Sequence, residues 1–238
     1  MKFTHVLLLM MLSIFWLTTY SQKPQAFLGI SAGASVPLGD FSSGNYQKTG
    51  DGFAKTGFSF KTAYDHRITY NFGISGLLLV HSNPWDDDSL LEGINTDSLE
   101  IIDQLSVATS NWSSFGILIG PFLYVPINES FNFDIKATFG LYNAYAPEIV
   151  VSGTRQNGEN FSLRFLKYNG IGFAWNIGST FRYKISRSRY IILGGDYLSS
   201  TISFENIERF NEDGVISKES FKQNFTTINI TAGVGFTF

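Results

Sequence analysis

The chain has 238 residues, which is enough for one domain and at most two. It has no cysteine and 3 histidines, which excludes disulfide frameworks, thiolate metal sites and cysteine nucleophiles and argues against a multi-histidine metal site. The 17 lysines and arginines against 20 aspartates and glutamates give a net charge of -3, so the basic footprint of a nucleic-acid-binding protein is absent. The 23 glycines and 6 prolines argue against a disordered or collagen-like chain.

The N-terminal segment has the pattern of an export signal. A positive charge precedes an apolar run over residues 6–17, which is shorter than the ~20 residues of a membrane-spanning helix but fits the ~7–15-residue core of a signal peptide. Small side chains at the end of this segment predict cleavage between Ser21 and Gln22. We therefore expect a signal peptide over residues 1–21 and an exported domain over residues 22–238. An uncleaved anchor helix is the alternative.

After this leader, apolar side chains recur at every second position. Successive side chains of a strand point to opposite faces, so each such segment has an apolar face and a face of small or polar residues. The last segment has the clearest alternation, with Ile228, Ile230 and Val234 opposite Asn229 and Thr231. The eight segments lie at about 27–38, 54–65, 70–81, 114–125, 131–141, 170–183, 190–197 and 227–238.

Alternation is common to soluble and membrane barrels, and the connections favour the membrane. Outer-membrane barrels have short periplasmic turns and long external loops, an asymmetry that a soluble meander does not need. Short connections are predicted near 65–67, 126–130 and 186–189, and long ones near 39–53, 82–111, 145–167 and 205–220.

The two faces of the segments also favour the membrane. The polar face is rich in glycine, serine, threonine and asparagine and has few of the charges that cover a soluble barrel. Aromatic residues on the apolar face gather toward the short connections, as an interfacial girdle does. They are Tyr64, Tyr70, Phe131, Phe133, Phe181, Tyr183, Phe236 and Phe238.

These observations predict the fold. A sheet that spans hydrocarbon must close, because every backbone N–H and C=O needs a partner there. Segments of roughly ten residues have the length that a bilayer requires. We predict an all-β protein, an eight-stranded antiparallel up-and-down transmembrane β-barrel that accounts for the exported domain. The even number of strands puts both termini on the side of the short turns, in the periplasm of a Gram-negative bacterium.

This pattern resembles a known family. The amphipathic strands, the alternating loop lengths and the terminal aromatic residue are similar to small outer-membrane β-barrel proteins of the OmpA/OmpX type. The segment GISAGASVPLGDF at 29–41 and the predicted cleavage site resemble the "outer membrane protein beta-barrel domain" family common in Bacteroidota. The resemblance implies that Val234, Phe236 and Phe238 form a C-terminal signal for the outer-membrane assembly machinery, and that membrane lipid surrounds the barrel.

Charged residues on the inward face are the main candidate site. Counted from the short turns, they lie at similar heights, so we expect them to share one layer in the periplasmic half of the lumen. An eight-stranded barrel is only wide enough for its own side chains, and charges buried there must pair. We predict a structural ion network that plugs the lumen, with a proton or ion path as the alternative. Its residues are Lys61, Asp134, Lys136, Arg182 and Asp196.

The connection over residues 83–111 has 7 carboxylates and no lysine or arginine. Asp97, followed three residues later by Glu100, predicts a capped helix over about 98–105. The spacing of the acids lacks the alternation and the central glycine of a calcium loop. We expect a solvated acidic loop, with a cation or partner site as the alternative.

The sequence predicts no catalytic, cofactor or metal site. His81 faces inward, but spacing places no serine, histidine and carboxylate in one layer, and the G-x-S-x-G elbow of a hydrolase is missing. His66 is predicted to be a solvated turn residue. We therefore expect a non-enzymatic outer-membrane protein that is structural or binds an extracellular or envelope protein through its loops. A narrow channel for small or hydrophobic solutes, a lipid-modifying enzyme and a soluble ligand-binding barrel are the alternatives.

Overall fold

The computed structural model describes residues 26–44, 50–93, 101–155, 160–210 and 216–238. The predicted signal peptide and its cleavage site at Ser21 and Gln22 lie outside these residues. The strands are β1 (Ala26–Pro37), β2 (Gly57–Arg67), β3 (Phe72–Asn83), β4 (Ile101–Thr109), β5 (Trp112–Pro126), β6 (Phe131–Tyr145), β7 (Ile149–Arg155), β8 (Asn160–Phe165), β9 (Asn169–Lys184), β10 (Arg189–Phe210) and β11 (Ile216–Thr237). A 3₁₀ turn spans Gly39–Phe41 and helix α1 spans Asp87–Gly93.

Eight of these strands form a closed barrel in the order β1-β11-β10-β9-β6-β5-β3-β2. Each neighbouring pair is antiparallel. The ring closes where β1 pairs with β11, from Phe27 opposite Thr237 to Pro37 opposite Thr227. The predicted eight-stranded antiparallel up-and-down barrel is therefore confirmed.

The barrel is apolar outside, and its interior combines polar and charged side chains with an apolar cluster that includes Leu79, Leu118 and Leu198. Inward positions hold buried serine, threonine, asparagine and charged side chains, whereas outward positions hold exposed Ile30, Ile117, Leu141, Phe173 and Ile230. A soluble protein does not expose a continuous apolar band of this kind, because contact with water would cost free energy over its whole area. Hydrocarbon removes that cost, so the outer surface is that of a membrane barrel.

Aromatic pairs border this band near the short turns. The rings of Phe131 and Tyr183 have centroids 4.8 Å apart, and those of Phe133 and Phe181 lie 4.7 Å apart. Both pairs join β6 to β9 on the outer surface. The amphipathic ring of tyrosine prefers the membrane–water interface, and the phenylalanine rings packed with and beside Tyr183 lie at the predicted girdle position.

The three short turns share one design. They cover residues 68–71, 127–130 and 185–188, and each starts with an isoleucine whose N–H donates to the carbonyl of the residue four positions on. The first turn therefore begins three residues later than predicted. As a result Asp65 and His66 belong to β2 and not to a turn, with Asp65 buried inside and His66 exposed outside.

The long connections contain more secondary structure than predicted. Strands β4, β7 and β8 form a separate three-stranded sheet in the order β4-β7-β8. Residues 205–220 were predicted to be a loop, but β10 and β11 continue as a paired hairpin to Phe210 opposite Ile216. Apart from the position of the first short turn, the barrel prediction is wrong only about what lies beyond its rim.

The helix predicted over residues 98–105 is wrong where the structure describes it. Residues 101–105 are in β4, whose pairing with β7 overrides the local capping signal. A helix does occur earlier in this connection, where Asp86 caps α1. The Asp86 carboxylate accepts hydrogen bonds from the Ser89 backbone N–H over 3.3 Å and from the Ser89 hydroxyl over 2.7 Å. Among the described helices, none has the length and hydropathy needed to cross a membrane.

A charge placed on the outer surface tests the membrane band. Ile230 lies on the outward face of β11 within the band, so we expect Ile230→Arg to reduce the free energy of unfolding in liposomes by ~2–4 kcal/mol. Ser220 is exposed on the same strand beyond the band, and Ser220→Arg should cost no more than ~1 kcal/mol. Urea unfolding in phospholipid vesicles measures both. Equal losses in the two variants would contradict the assignment of the band.

Candidate functional site in the barrel interior

Asp65 on β2 is the centre of a buried ion group. Lys136 Nζ, from β6, lies 2.8 and 2.6 Å from its two carboxylate oxygens. Arg182 Nη2, from β9, donates to it over 2.6 Å, and the Ser75 hydroxyl, from β3, donates over 2.5 Å. These contacts join four of the eight barrel strands across the lumen.

Arg182 also pairs with Asp134 on β6. Two carboxylates therefore face two cations, and the group has no net formal charge. Its four ionic side chains have at most 6% of their surface exposed. The Arg182 guanidinium lies 3.6 Å from the centroid of the Phe27 ring, which covers it on the side of the short turns. Charge compensation and this stacking reduce the cost of burying ions in the barrel.

A second ion group lies nearer the centre of the lumen. Lys61 Nζ donates to Asp196 Oδ2 over 2.6 Å, and Asn229 Nδ2 donates to Asp196 Oδ1 over 3.1 Å. Glycine makes room for both charges. A Cβ atom at Gly194 would lie 3.3 Å from Lys61 Nζ, and one at Gly178 would lie 2.7 Å from the Cβ of Asp196.

The five sequence-predicted charges thus face the lumen, but in two groups and not in one layer. The sequence interpretation missed Asp65, the acceptor shared by Lys136 and Arg182, because it placed the first short turn at residues 65–67. The parity signal was present, since Asp65 lies four residues after Lys61 on the same strand and so on the same face.

Little space remains around the ion groups. A cavity of about 20 Å³ between them is lined by Lys61, Lys136, Asp196 and Thr231, among others. A second cavity of about 10 Å³ lies toward the short turns beside Phe27. One water molecule needs about 10–15 Å³ on this measure, so these cavities hold one or two water molecules at most.

The end of the lumen near the long connections is covered by aromatic rings. We call Phe41, Trp112, Phe204 and Phe225 the aromatic lid. Ring centroids are 4.6 Å apart for Phe41 and Phe225, 5.1 Å for Trp112 and Phe225, and 6.1 Å for Trp112 and Phe204. At most 3% of each side chain is exposed. The lid therefore fills the barrel mouth with apolar material.

The first long connection delivers Phe41 to this lid. The Trp112 indole donates to the carbonyl of Gly52 over 2.7 Å, and a Cβ atom at Gly52 would lie 2.5 Å from the carbonyl oxygen of Phe41. Only glycine permits that approach. The next residue, Phe53, has a φ of 50°, a strained conformation for a bulky side chain, and its ring stacks on Trp85 at 5.1 Å. Packing at the mouth compensates this strain.

His81 is part of a buried polar cluster between the ion groups and the lid. Its Nδ1 lies 2.7 Å from the Tyr142 hydroxyl, which lies 2.6 Å from the Ser114 hydroxyl. Within the described residues, the histidine is therefore hydrogen-bonded to a phenol and to neither a serine nor a carboxylate. This arrangement lacks the acid that orients the base of a hydrolase. No cluster of three or more potential metal ligands occurs among the residues that the structure describes.

The acidic connection over residues 83–111 contacts a lysine from another connection, a pairing that the sequence did not predict. Lys55, from the first long connection, lies 2.8 Å from Asp86 and 3.4 Å from Asp88. Burial raises the pKa of the Asp86 carboxyl, but hydrogen bonds from Lys55 and Ser89 outweigh that effect and hold the pKa below its usual range. Asp97 and Glu100 lie outside the described residues.

The chain is similar to solved structures but not to any protein-family model or curated sequence. No protein-family model and no curated protein sequence matches the chain. Among solved structures, Ail, the attachment invasion locus protein of Yersinia pestis, is 11% identical with a TM-score of 0.44, over 91% of this chain and 100% of that one. Neisserial surface protein A (NspA) is 11% identical with a TM-score of 0.47, over 90% and 97% of the two chains. A major outer membrane protein from Thermus thermophilus is 11% identical with a TM-score of 0.49, over 90% and 99%.

Removal of Asp65 tests the first ion group. Asp65→Ala leaves Lys136 and Arg182 without their shared acceptor in a dry interior, so we expect a loss of ~3–5 kcal/mol in the free energy of unfolding. The control is Glu148→Ala, which removes an exposed ion pair of similar length. Glu148 lies 2.5 Å from Arg164, and 33% of the Glu148 side chain and 63% of the Arg164 side chain are exposed. Exposed pairs are worth ~0–1 kcal/mol. Urea unfolding in liposomes compares the two, and similar small losses would contradict a structural role for the buried group.

Proposed function

We propose that the protein is a non-enzymatic integral outer-membrane protein, in which a closed barrel anchors external structures that bind another protein. The observation that carries this proposal is the filled lumen. Two ion groups cross it, the aromatic lid covers one end, and Phe27 and Tyr190, whose ring centroids are 5.8 Å apart, pack together at the other. A conduit needs a continuous aqueous or apolar path, and these side chains occupy that path.

The asymmetry of the barrel supports an outer-membrane location. All three short turns lie at one end and the long connections lie at the other, as in barrels whose turns face the periplasm. The side chains of Val234 and Phe236 on β11, and of Phe238 directly after it, are exposed. We propose that they are also the signal that the outer-membrane assembly machinery recognises.

The external structures support a role in binding. Strands β4, β7 and β8 form a sheet of their own, and α1 lies in the connection that leads to β4. On this sheet, Arg164 Nε on β8 donates to Glu148, the residue directly before β7, over 2.5 Å. A small sheet whose end strands are not part of the barrel ring suits recognition of a partner by strand pairing or by its exposed face.

Conductance tests the closed lumen. We expect no channel steps when the parent protein is inserted into a planar bilayer, because the two ion groups, the aromatic lid and the Phe27–Tyr190 pair fill the interior. Insertion must be verified in the same sample, by the shift in electrophoretic mobility between folded and heat-unfolded protein.

The channel alternative makes the opposite prediction. Parent protein that conducts, with a current that changes in Asp134→Ala and Lys61→Ala while stability is retained, would overturn the proposal in favour of a path for small solutes. Turnover of outer-membrane lipid that is lost in His81→Ala would favour the enzyme.

The chain lacks cysteine, so single-cysteine variants test its orientation. Ser162 lies on β8 in the external sheet and Ser188 lies in the third short turn, and both are exposed. A membrane-impermeant maleimide added to intact cells should label Ser162→Cys and spare Ser188→Cys. Ser188→Cys should react after the outer membrane is permeabilised. The reverse pattern would invert the orientation and place the three-stranded sheet in the periplasm.

A further inference from the structure

The turn between β9 and β10 concentrates positive charge at one point of the barrel rim. Lys184, Arg187 and Arg189 lie within six residues, and all three are exposed. We call these three residues the basic turn. Among the described residues, no carboxylate forms an ion pair with them.

This concentration of charge is specific to one turn. The turn over residues 68–71 contains no ionisable acid or base other than a tyrosine, and the guanidinium of the flanking Arg67 lies 4.4 Å from the centroid of the Tyr124 ring. The turn over 127–130 contains a glutamate. The long connections at the other end are rich in carboxylates, including the three consecutive aspartates over 86–88. Exposed cations are thus clustered at one of three similar turns.

The backbone holds the basic turn in place from both sides. Lys184 N–H donates to the carbonyl of Ser130 over 2.8 Å, toward β6, and Thr237 N–H donates to the carbonyl of Ser188 over 3.0 Å, toward β11. Within the turn, Ile185 N–H donates to the carbonyl of Arg189 over 2.9 Å. The backbone that carries the three cations is therefore already ordered before any ligand binds.

The basic turn also lies next to the aromatic girdle, at the edge of the apolar band. Tyr183 directly precedes it, and the outer faces of β9 and β10 continue from it as Phe181 and Ile191, both exposed. The aromatic girdle marks the boundary of the hydrocarbon. A lipid whose phosphate lies at the turn would therefore place its acyl chains against this apolar surface.

We propose that the basic turn binds the phosphate group of an anionic phospholipid in the leaflet that surrounds the short turns. Arginine side chains present paired N–H donors that match phosphate oxygens, and a cluster of cations prefers an anionic headgroup to a zwitterionic one. The inference rests on the proposed membrane function, since it requires a bilayer around the barrel.

The size of the effect follows from the number of cations. Each lysine or arginine near an anionic membrane surface strengthens the interaction by about fivefold, so three cations acting fully on one headgroup would favour an anionic over a zwitterionic lipid by about 100-fold. One headgroup does not contact all three cations equally, and we expect a preference of at least about tenfold. The preference should weaken as salt is added, because exposed charges are screened beyond a distance of ~10 Å at 0.1 M.

Native mass spectrometry of the folded protein in non-ionic detergent tests the proposal. Phosphatidylglycerol and phosphatidylcholine with the same acyl chains are added in equal amounts, and the ratio of the two bound lipids is measured. We expect a ratio of at least ten in the parent, and a ratio near one when Lys184, Arg187 and Arg189 are all changed to glutamine. Mobility on gels before and after heating verifies that the variant is folded, and Arg187→Gln alone, with a several-fold decrease, serves if the triple variant does not fold.

The control removes the same charge from the opposite end of the barrel. Arg164, Lys167 and Lys222 are exposed on or beside the external structures, and changing all three to glutamine should leave the lipid ratio at its parental value. A ratio near one in the parent, an unchanged ratio in the basic-turn variant, or an equal loss in the control overturns the proposal. Because the readout is a headgroup preference in detergent, it is distinct from the conductance and labelling results that test the proposed function.

Discussion

The need to pair every backbone hydrogen-bonding group governs this structure. Where water is absent, an unpaired N–H or C=O is costly, so the sheet must return to its first strand. The seam between β1 and β11 is paired to its end, where Ala26 and Phe238 exchange backbone hydrogen bonds of 3.3 and 3.1 Å. Two glycines allow the seam to close along its length. A Cβ atom at Gly33 would lie 1.9 Å from the carbonyl oxygen of Ile230, and one at Gly233 would lie 2.0 Å from that of Ile30.

Closure with eight strands then dictates what the interior contains. The lumen is too narrow for bulk water and too wide to be left empty, so side chains fill it. The chain uses paired charges in the half near the short turns and aromatic rings in the half near the long connections. This division has a physical basis, since ion pairs across the lumen join distant strands, whereas aromatic rings also pack against the connection that contains Phe41. The ion pairs thus cross-link strands at one end of the barrel, and the aromatic rings fix the first long connection at the other.

Much of the architecture could be predicted from the alternation of apolar side chains. A period of two predicts which residues face outward, and parity held in all eight barrel strands because lipid and lumen impose opposite requirements. The ends of strands were harder to predict. Ile68 and Tyr70 continue the apolar pattern into the first turn, which displaced that turn and hid the role of Asp65. Beyond residue 205, apolar residues do not recur at every second position in the sequence, so these strands gave no periodic signal.

The aromatic lid was also beyond prediction. Trp112 and Phe225 occupy inward positions that parity alone assigns to the polar face, and Phe41 comes from a connection with no period. Their meeting depends on three segments that are far apart in the chain. The same holds for Lys55 and Asp86, which belong to different connections and come together only in the folded protein.

The β10–β11 hairpin extends beyond the rest of the barrel. Each of its strands has 22 residues, against 16 in β9, the other neighbour of β10. At ~3.3 Å per residue, the six-residue excess of β10 corresponds to ~20 Å of strand. The β10–β11 pairing has a register irregularity between Phe204 and Ile207, directly beyond the lid, and an irregularity of this kind bends the strand that contains it. Below that bend, β10 runs without interruption to Arg189. A single strand therefore links the hairpin beyond the rim to the basic turn at the opposite end of the barrel, and the two ends share one continuous ladder of pairing with β11 from Phe204 to Arg189.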